Sequence, residues 1–395
     1  MSVLLLSTAL ISAAEPPLTY QLEHNTGRSD VVTVSVDTKQ LGTFNIQPSR
    51  TLADGTQPTL ACVTASGSRS DIKYKADIQC DHVDWQLPLA KIGHDGFDIA
   101  DQVDSYSPDK GWRFISEFNS LPRFSKHNDE PIPAQVCSPN NQCSWMPDES
   151  QPPLFMIWGL KPIELDINGK TITVTTDTDE ILKTMSDWKP ALESQLAYLI
   201  SLFPNNQVEK WDIAFFSRDK QSGSVSGAAG SDKILVNALL NNGELEDDAM
   251  PMLLKIAAHE SMHLLDTTSP MWASESLAEY YGIKSLGKTS YDFTDPQSEW
   301  NDFKKRFPFA STGLLEANDR VSKEQMYQYY PLFYVKGPAF WQLIDQSLMA
   351  KGKSLDTLLP TLTFNKEGHL SEASISDITD VIGKQKWHEL ADLYL

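Results

Sequence analysis

The chain has 395 residues, enough for two or three domains, and 41% of them are hydrophobic, as in ordinary globular proteins. Its formal net charge of −20 argues against nucleic acids and anionic membranes as partners, because both would repel it. The sequence lacks any run of about 18 apolar residues, so we expect no membrane span.

Residues 1–14 predict an export signal. Residues 3–11 form a short apolar core, and the small residues Ser12, Ala13 and Ala14 offer a cleavage site. No positive charge precedes the core, and a buried first strand or helix is the alternative interpretation. The signal predicts an exported protein, either periplasmic or secreted.

Four cysteines precede residue 150 and support export: Cys62, Cys80, Cys137 and Cys143. An even number in an exported chain indicates disulfides, for which three connectivities exist. Proximity along the chain favours pairing the first with the second and the third with the fourth. No Cys-x-x-Cys pair occurs, which argues against a structural zinc finger.

Residues 15–165 predict a β-rich N-terminal domain. Segments 31–36 and 72–78 have the composition of strands, and turn signals such as Asp54-Gly55 lie between candidate strands. We expect an antiparallel β-sandwich without a catalytic constellation.

Residues 166–395 predict a second domain of α+β class. Strand-like segments 171–175 and 211–216 flank a helical stretch near 179–202, and the chain becomes mostly helical after residue 323.

The most informative motif is His259-Glu260-Ser261-Met262-His263. In a helix of about 3.6 residues per turn, both histidines project from one face and suit Zn²⁺. Glu260 lies beside the position left open for water, where it can act as general base. The flanking chain is apolar and predicts a buried helix, in which two histidines and a glutamate need partners.

A catalytic zinc site needs a third protein ligand, and Glu275 is the best candidate. It lies in a second predicted helix that the Ser269-Pro270 turn folds back beside the first. Asp266 is a rival, but its position only three residues after His263 would strain its reach to the metal. Glu279, one turn after Glu275, is either a surface carboxylate or the hydrogen-bond partner of a ligating histidine.

Together, these segments resemble the gluzincin metallopeptidases, particularly the aminopeptidase N and glycyl aminopeptidase clan. Trp272, Glu275, Ala278 and Tyr280 match its Trp-x-x-Glu-Gly-x-Ala-x-Tyr motif, with Ser276 in place of the usual glycine. The segment 334–337 matches the Tyr-x-Lys-Gly signature. The resemblance covers roughly residues 220–345 and implies a thermolysin-like catalytic domain.

The same resemblance implies that Tyr334 stabilises the oxyanion of the tetrahedral intermediate. A phenol donor near the metal suits this role, since the charge develops only in the transition state. The alternative is that Tyr334 is one of several aromatic residues that pack a core.

The sequence departs from the clan in two ways. Aminopeptidases of the clan hold the free amino terminus with a Gly-x-Met-Glu-Asn strand, whereas the comparable segment 227–231 has no glutamate. In addition, only 11 residues separate His263 from Glu275, which requires a short connection between the helices. Both departures are compatible with zinc hydrolysis, but the first predicts cleavage that does not depend on a free amino terminus.

The sequence therefore predicts an exported zinc metallopeptidase with one Zn²⁺ per chain, held by His259, His263 and Glu275. Glu260 would be the general base, Tyr334 the oxyanion donor, and a peptide or protein the substrate. Two alternatives remain open: a zinc hydrolase of a non-peptide amide or ester, and an inactive relative that serves as a binding module.

Overall fold

The computed structural model describes residues 17–25, 27–50, 57–266 and 269–395. The predicted signal segment, residues 1–14, lies outside the described residues. Within them the protein is of α+β class, with several sheets followed by a helical C-terminal part, as predicted. No helix in these ranges combines the length and the apolar character that crossing a membrane requires.

The N-terminal part is built mainly from short strands. They are β1 (Leu18–His24), β2 (Val31–Asp37), β3 (Phe44–Gln47), β4 (Ala61–Val63), β5 (Arg69–Asp71), β6 (His82–Pro88), β7 (Ala90–Lys91), β8 (Ser105–Ser107), β9 (Trp112–Ser116), β10 (Arg123–Lys126), β11 (Ala134–Cys137), β12 (Cys143–Trp145) and β13 (Phe155–Trp158), with one short helix, α1 (Glu117–Ser120).

Seven of these strands form one sheet in the order β12-β11-β1-β2-β6-β4-β5. Alternation along β2 places Val32, Val34 and Val36 in the core, as the pleat of a half-buried strand requires. The expected antiparallel arrangement is wrong at two ladders of the N-terminal part. Strands β7 and β8 run parallel, and so do β1 and β11, which are more than a hundred residues apart in sequence. The second predicted strand, 72–78, is also wrong: turns occupy it, with one isolated bridge from Ile78 to Phe44.

Two disulfides stabilise this region. Cys62 pairs with Cys80 beside the sheet edge, and Cys137 with Cys143 across the β11–β12 hairpin. These are the two pairings that proximity favours.

A four-stranded sheet, β13-β9-β8-β7, joins the N-terminal part to the rest of the molecule. The side chains of Phe97, Trp112, Phe114 and Phe155 form a small core with Phe216 and Leu235 of the following part. Ile115, Met156 and Trp158 belong instead to the core of the seven-stranded sheet. Successive residues of β9 and β13 thus point to opposite faces, so this sheet lies between two cores.

The second part begins with a six-stranded sheet. Its strands are β14 (Ile163–Ile167), β15 (Lys170–Thr176), β16 (Lys210–Asp219), β17 (Gly227–Ala229), β18 (Lys233–Asn241) and β19 (Glu244–Leu245). The order is β14-β15-β16-β18-β17, with β19 paired to β18. Strands β15, β16 and β18 are parallel, and β17 adds to the edge antiparallel to β18.

Helices cover one face of this sheet and form the C-terminal part. They are α2 (Asp179–Lys183), α3 (Met185–Leu202), α4 (Ala249–Leu265), α5 (Met271–Leu286), α6 (Pro296–Arg306), α7 (Leu314–Ser322), α8 (Pro331–Met349), α9 (Leu355–Leu358), α10 (Glu372–Ile382) and α11 (Lys384–Tyr394), with 3-10 turns at Pro308–Ser311, Tyr327–Tyr329 and Leu359–Thr361. Helix α5 lies between α4 and α8 within one continuous hydrophobic core.

A buried ionic network joins these helices away from the sheet. Lys284 of α5 contacts Asp345 of α8 at 2.6 Å and Asp356 of α9 at 2.5 Å. The hydroxyl of Tyr280 donates to Asp345 at 2.6 Å, which gives the buried carboxylate a further partner. The network therefore fixes α8 against α5, the helix that carries Glu275.

Candidate metal centre

Helix α4 places the two histidines of the 259–263 motif one turn apart. It begins after Asp248, contains Pro251 in its first turn where a missing N–H costs nothing, and ends at Leu265. Leu253, Leu254 and Ala257 are fully buried, so burial of an apolar face accounts for the stability of the helix.

Helix α5 returns beside α4 after the short connection predicted from the sequence. Gly282 permits this approach, because a Cβ there would lie only 3.0 Å from the carbonyl oxygen of Lys255. Glu275, in the second turn of α5, thereby faces His259 and His263.

The ligand atoms of these three side chains form a nearly equilateral triangle. Nε2 of His259 lies 3.2 Å from Nε2 of His263 and 3.4 Å from Oε2 of Glu275, and the third side measures 3.6 Å. Ligands about 2.0–2.1 Å from a tetrahedral zinc ion are separated by roughly 3.3 Å. The donor set and its spacing therefore fit Zn²⁺, and Asp266 is not a member of this cluster.

The outer nitrogen of each histidine also has a partner. Nδ1 of His259 lies 3.0 Å from Glu279, whose other oxygen accepts from Lys255 at 2.5 Å. Nδ1 of His263 lies 3.1 Å from the hydroxyl of Ser274. Of the two interpretations of Glu279, the structure favours the partner of a histidine, because this carboxylate is buried. Such contacts fix the ring orientation of a metal ligand.

The carboxylates of the cluster favour a positive charge beside them. Burial alone would raise the pKa of Glu275, but hydrogen bonds with His259 and His263 hold it well below its usual range. Burial lowers the pKa of His259, yet Glu275 and Glu279 outweigh this and raise it to about 10. Because Zn²⁺ binds neutral imidazole, its binding here would release a proton from His259 and would depend on pH.

Glu260 is buried on the neighbouring side of α4, next to the edge strand β17. A Cβ at Gly227 would lie 2.3 Å from Oε1 of Glu260, so a larger residue there would displace this carboxylate. Burial raises the pKa of Glu260, which strengthens it as a proton acceptor, although His259 and His263 act in the opposite direction.

Two tyrosines of the C-terminal part contact Glu275. The hydroxyl of Tyr334 on α8 donates to Oε2 at 2.7 Å, and Tyr330 donates to Oε1 at 3.1 Å. Gly337 allows this arrangement, because a Cβ there would lie 2.1 Å from the Cβ of Ser276. Ser276 itself accepts a hydrogen bond from Trp341 at 2.8 Å. The close helix crossing thus brings Tyr334, one turn before Gly337, to the metal ligand.

Several of these groups line one open cavity of about 420 Å³. It is lined by Glu260, His263, Glu275, Tyr330 and Tyr334, by residues 227–229 of β17, and by Pro152, Asp266, Ser269 and Ser274. Four of the five site residues predicted from the sequence line this cavity, and the fifth, His259, contacts His263 and Glu275 without lining it. Lys255, Ser274 and Tyr330 were missed, because they belong to no motif.

Comparison with known proteins bears on the fold alone. No family model and no curated protein matches the sequence. Among solved structures, an aminopeptidase N family protein from Idiomarina loihiensis has a TM-score of 0.60 at 12% identity, covering 87% of this chain and 69% of that one. The chain therefore shares the fold of that protein.

A second similar structure is an M1 zinc metallopeptidase mutant from Deinococcus radiodurans bound to a Tyr-Ser-Ala substrate. Its TM-score is 0.47 at 11% identity, and the match covers 96% of this chain and 93% of that one.

Proposed function

We propose that this protein is a zinc-dependent peptidase in which His259, His263 and Glu275 hold one Zn²⁺ per chain. The observation that carries the proposal is the triangle of 3.2, 3.4 and 3.6 Å between their ligand atoms, beside the buried Glu260. When bound, zinc would supply a Lewis acid that polarises the scissile carbonyl and lowers the pKa of water to about 7.

Glu260 is the general base in this mechanism. It removes a proton from the attacking water and then delivers it to the leaving amine, so that the same carboxylate serves both steps. Its burial against Gly227 keeps bulk water away and its proton affinity high. Residues 227–229 of β17 line the cavity beside Glu260, and we propose that they orient the substrate backbone.

Tyr334 is the oxyanion donor. Burial and the nearby Glu275 carboxylate raise the pKa of its hydroxyl, so it remains protonated, and to serve the oxyanion its hydrogen bond moves from Oε2 of Glu275 to the substrate oxygen. Its ring is stacked on His259, with centroids 5.5 Å apart, which limits its motion. A donor held in advance in this way costs little reorganisation when charge develops on the substrate oxygen.

The fold supports peptide substrates, because the Idiomarina loihiensis protein that shares it is named as an aminopeptidase N family protein. The test is cleavage of a mixed peptide library, with amides and esters of other kinds alongside, before and after chelation. We expect peptide cleavage that chelator abolishes and zinc restores.

Glu260→Gln is the matched control for this test. It should keep the metal and lose turnover, since an amide cannot take the proton. Zinc-restored cleavage of esters without cleavage of peptides would favour the non-peptide hydrolase, and full activity of Glu260→Gln would reject the mechanism.

We further propose that the protein is exported, with residues 1–14 as signal, a β-rich domain at 15–165 and a catalytic domain at 166–395. The two disulfides support export, since such bonds persist in oxidising compartments. Intact-mass measurement of the protein from its native host should give four oxidised cysteines and a chain lacking about 14 residues. Free thiols on a chain that starts at Met1 would contradict export.

A further inference from the structure

A polar groove runs along the seam between the N-terminal part and the six-stranded sheet. It consists of two adjoining cavities of about 560 and 470 Å³, which share Cys143, Ser144, Lys210 and Asp232 as lining residues. We call this feature the seam groove. Each of its cavities has a volume in the range of about 300–1,000 Å³ that is typical of ligand sites.

The floor of the seam groove is a sheet face that no other element of the described part of the chain covers. Along β15, Ile172 and Val174 are fully buried on the helical side, whereas Thr171, Thr173 and Thr175 line the groove. Further along the sheet, the same face is covered by the core around Phe216. The groove is therefore the part of this face that carries hydroxyls in place of apolar side chains, which suits a hydrogen-bonding ligand.

The walls of the groove are held in place without a ligand. The Cys137–Cys143 disulfide closes the β11–β12 hairpin. The hydroxyl of Ser144 then donates to Asp232 at 2.5 Å across the seam. On the sheet side, Lys233 contacts Asp212 at 2.7 Å. A site fixed in advance loses less entropy when it binds, which favours affinity.

The seam groove lies next to the catalytic cavity along the chain segments that line both. Residues 227–229 line the catalytic cavity, and Ser231, Asp232 and Lys233, which follow at once, line the groove. On the opposite side, Pro152 lines the cavity and Gln151 the groove. The two sides are joined by a hydrogen bond of 2.8 Å from the amide of Ser231 to the carbonyl of Pro153. The catalytic cavity and the groove are therefore lined by neighbouring residues of the same two chain segments.

Two side chains give the groove its recognition chemistry. Trp145 is 57% exposed and lines the groove beside Lys210. The groove also contains Asp212 and Asp232, which form ion pairs with Lys233, and Glu164. Lys210 has no ion-pair partner within the described ranges. Exposed tryptophan is typical of energetically important contacts with peptides, and an unpaired lysine attracts a carboxylate.

We propose that the seam groove binds the part of a peptide substrate that extends beyond the metal centre, with Trp145 contacting a side chain and Lys210 an acidic group. This inference rests on the proposed peptidase function. It makes the protein an enzyme for extended chains, preferably acidic at a distance from the cleaved bond. Acidic extended substrates would otherwise be repelled by the net charge of the protein.

The experiment measures peptide affinity on the zinc-loaded Glu260→Gln variant, in which bound peptides stay intact. A tripeptide is compared with peptides of about ten residues, lengthened at either end, which span roughly 30 Å when extended. We expect lengthening at one end to tighten binding at least about tenfold. Trp145→Ala should remove this gain in affinity. Phe293→Ala should preserve it, because Phe293 is an exposed aromatic residue that lines neither the catalytic cavity nor the groove.

A second set of binding measurements uses a charge reversal in the groove. Lys210→Glu should weaken the binding of an acidic long peptide and strengthen the binding of a basic one. Lys351→Glu should leave both affinities unchanged, because Lys351 lines neither the catalytic cavity nor the groove. Equal affinity for short and long peptides, or a Trp145→Ala variant that keeps the gain, would overturn the inference. If the parent enzyme cleaves no peptide, the proposed function fails, while the binding measurements still decide on the groove.

Discussion

The hydroxyl of Tyr334 lies 2.7 Å from Oε2 of Glu275, the same oxygen that faces both histidines. The proposed oxyanion donor on α8 and the proposed third ligand on α5 thus meet at one oxygen atom, although the two residues are 59 positions apart in sequence. The contact requires the close helix crossing at Gly337 and Ser276. It joins the C-terminal helices directly to the metal site.

The third-ligand assignment predicts different metal contents for two carboxylate variants. Glu275→Ala should lose zinc, because it removes one corner of the ligand triangle. Asp266→Ala should keep about one zinc per chain, since Asp266 lines the cavity without joining the ligand cluster. Metal analysis of the purified proteins decides this. Zinc retained by Glu275→Ala and lost from Asp266→Ala would reverse the assignment.

Removal of the Tyr334 hydroxyl should slow turnover and leave substrate binding nearly unchanged. Tyr334→Phe is expected to lower kcat by roughly 10²–10³, the loss typical of one oxyanion donor. Tyr330→Phe is the matched control, because its hydroxyl contacts Oε1 of Glu275, on the side away from the histidines, and it should cost less. Steady-state kinetics on one peptide separate kcat from KM. Parental kcat in Tyr334→Phe would make this residue a packing aromatic.

The contact between Glu279 and His259 predicts a positioning role that metal affinity can reveal. Glu279→Gln removes the charged partner of Nδ1 and leaves Lys255 unpaired, so zinc affinity should fall by about 10–100-fold. Competition with a chelator of known affinity measures this change in zinc affinity. Circular dichroism checks that the variant keeps the parental fold. An unchanged zinc affinity would return Glu279 to a purely structural role.

Asp104 in the N-terminal part should make stability depend on pH. Its carboxyl accepts hydrogen bonds from the amide of Ser116 at 2.9 Å and from the hydroxyl of Ser120. Burial raises its pKa from 3.8 to about 7. Between pH 4 and pH 7 the folded protein therefore keeps a proton on Asp104 that the unfolded chain has lost. The free energy of unfolding consequently falls as the pH rises through this range.

Asp104→Asn removes this titration and tests it directly. The free energy of unfolding of the variant, relative to the parent, should increase between pH 4 and pH 8 by an amount on the order of 1–3 kcal/mol. Denaturant unfolding at several pH values measures it. A difference between variant and parent that stays constant across this range would contradict the assignment.

Cleavage should not depend on a free substrate amino terminus. Residues 227–231, which lie beside the cavity, contain no carboxylate, and burial of an ammonium without a counter-charge is costly. Acetylation of one peptide should therefore change kcat/KM less than about tenfold. If acetylation abolishes cleavage, the enzyme is an aminopeptidase, and Asp266→Asn would show whether Asp266 holds the ammonium.

Local periodicity explains why the metal ligands could be predicted from the sequence. His259 and His263 share a helix face by spacing alone, and the short turn at Ser269-Pro270 brings Glu275 back beside them. Lys255 and Tyr330 could not be predicted, because their partners depend on how three helices pack. The parallel pairing of β1 with β11 was missed for the same reason, since nothing in either strand specifies so distant a partner.

All three ligands lie within the seventeen residues from His259 to Glu275, on one helical hairpin. Closing so short a loop costs little entropy, so this hairpin can assemble early, before α8 docks. Under the proposed function, zinc binding needs only this hairpin, whereas hydrolysis also needs Tyr334 of α8. The docking of α8 at Gly337 would then decide when a zinc-loaded chain can begin hydrolysis.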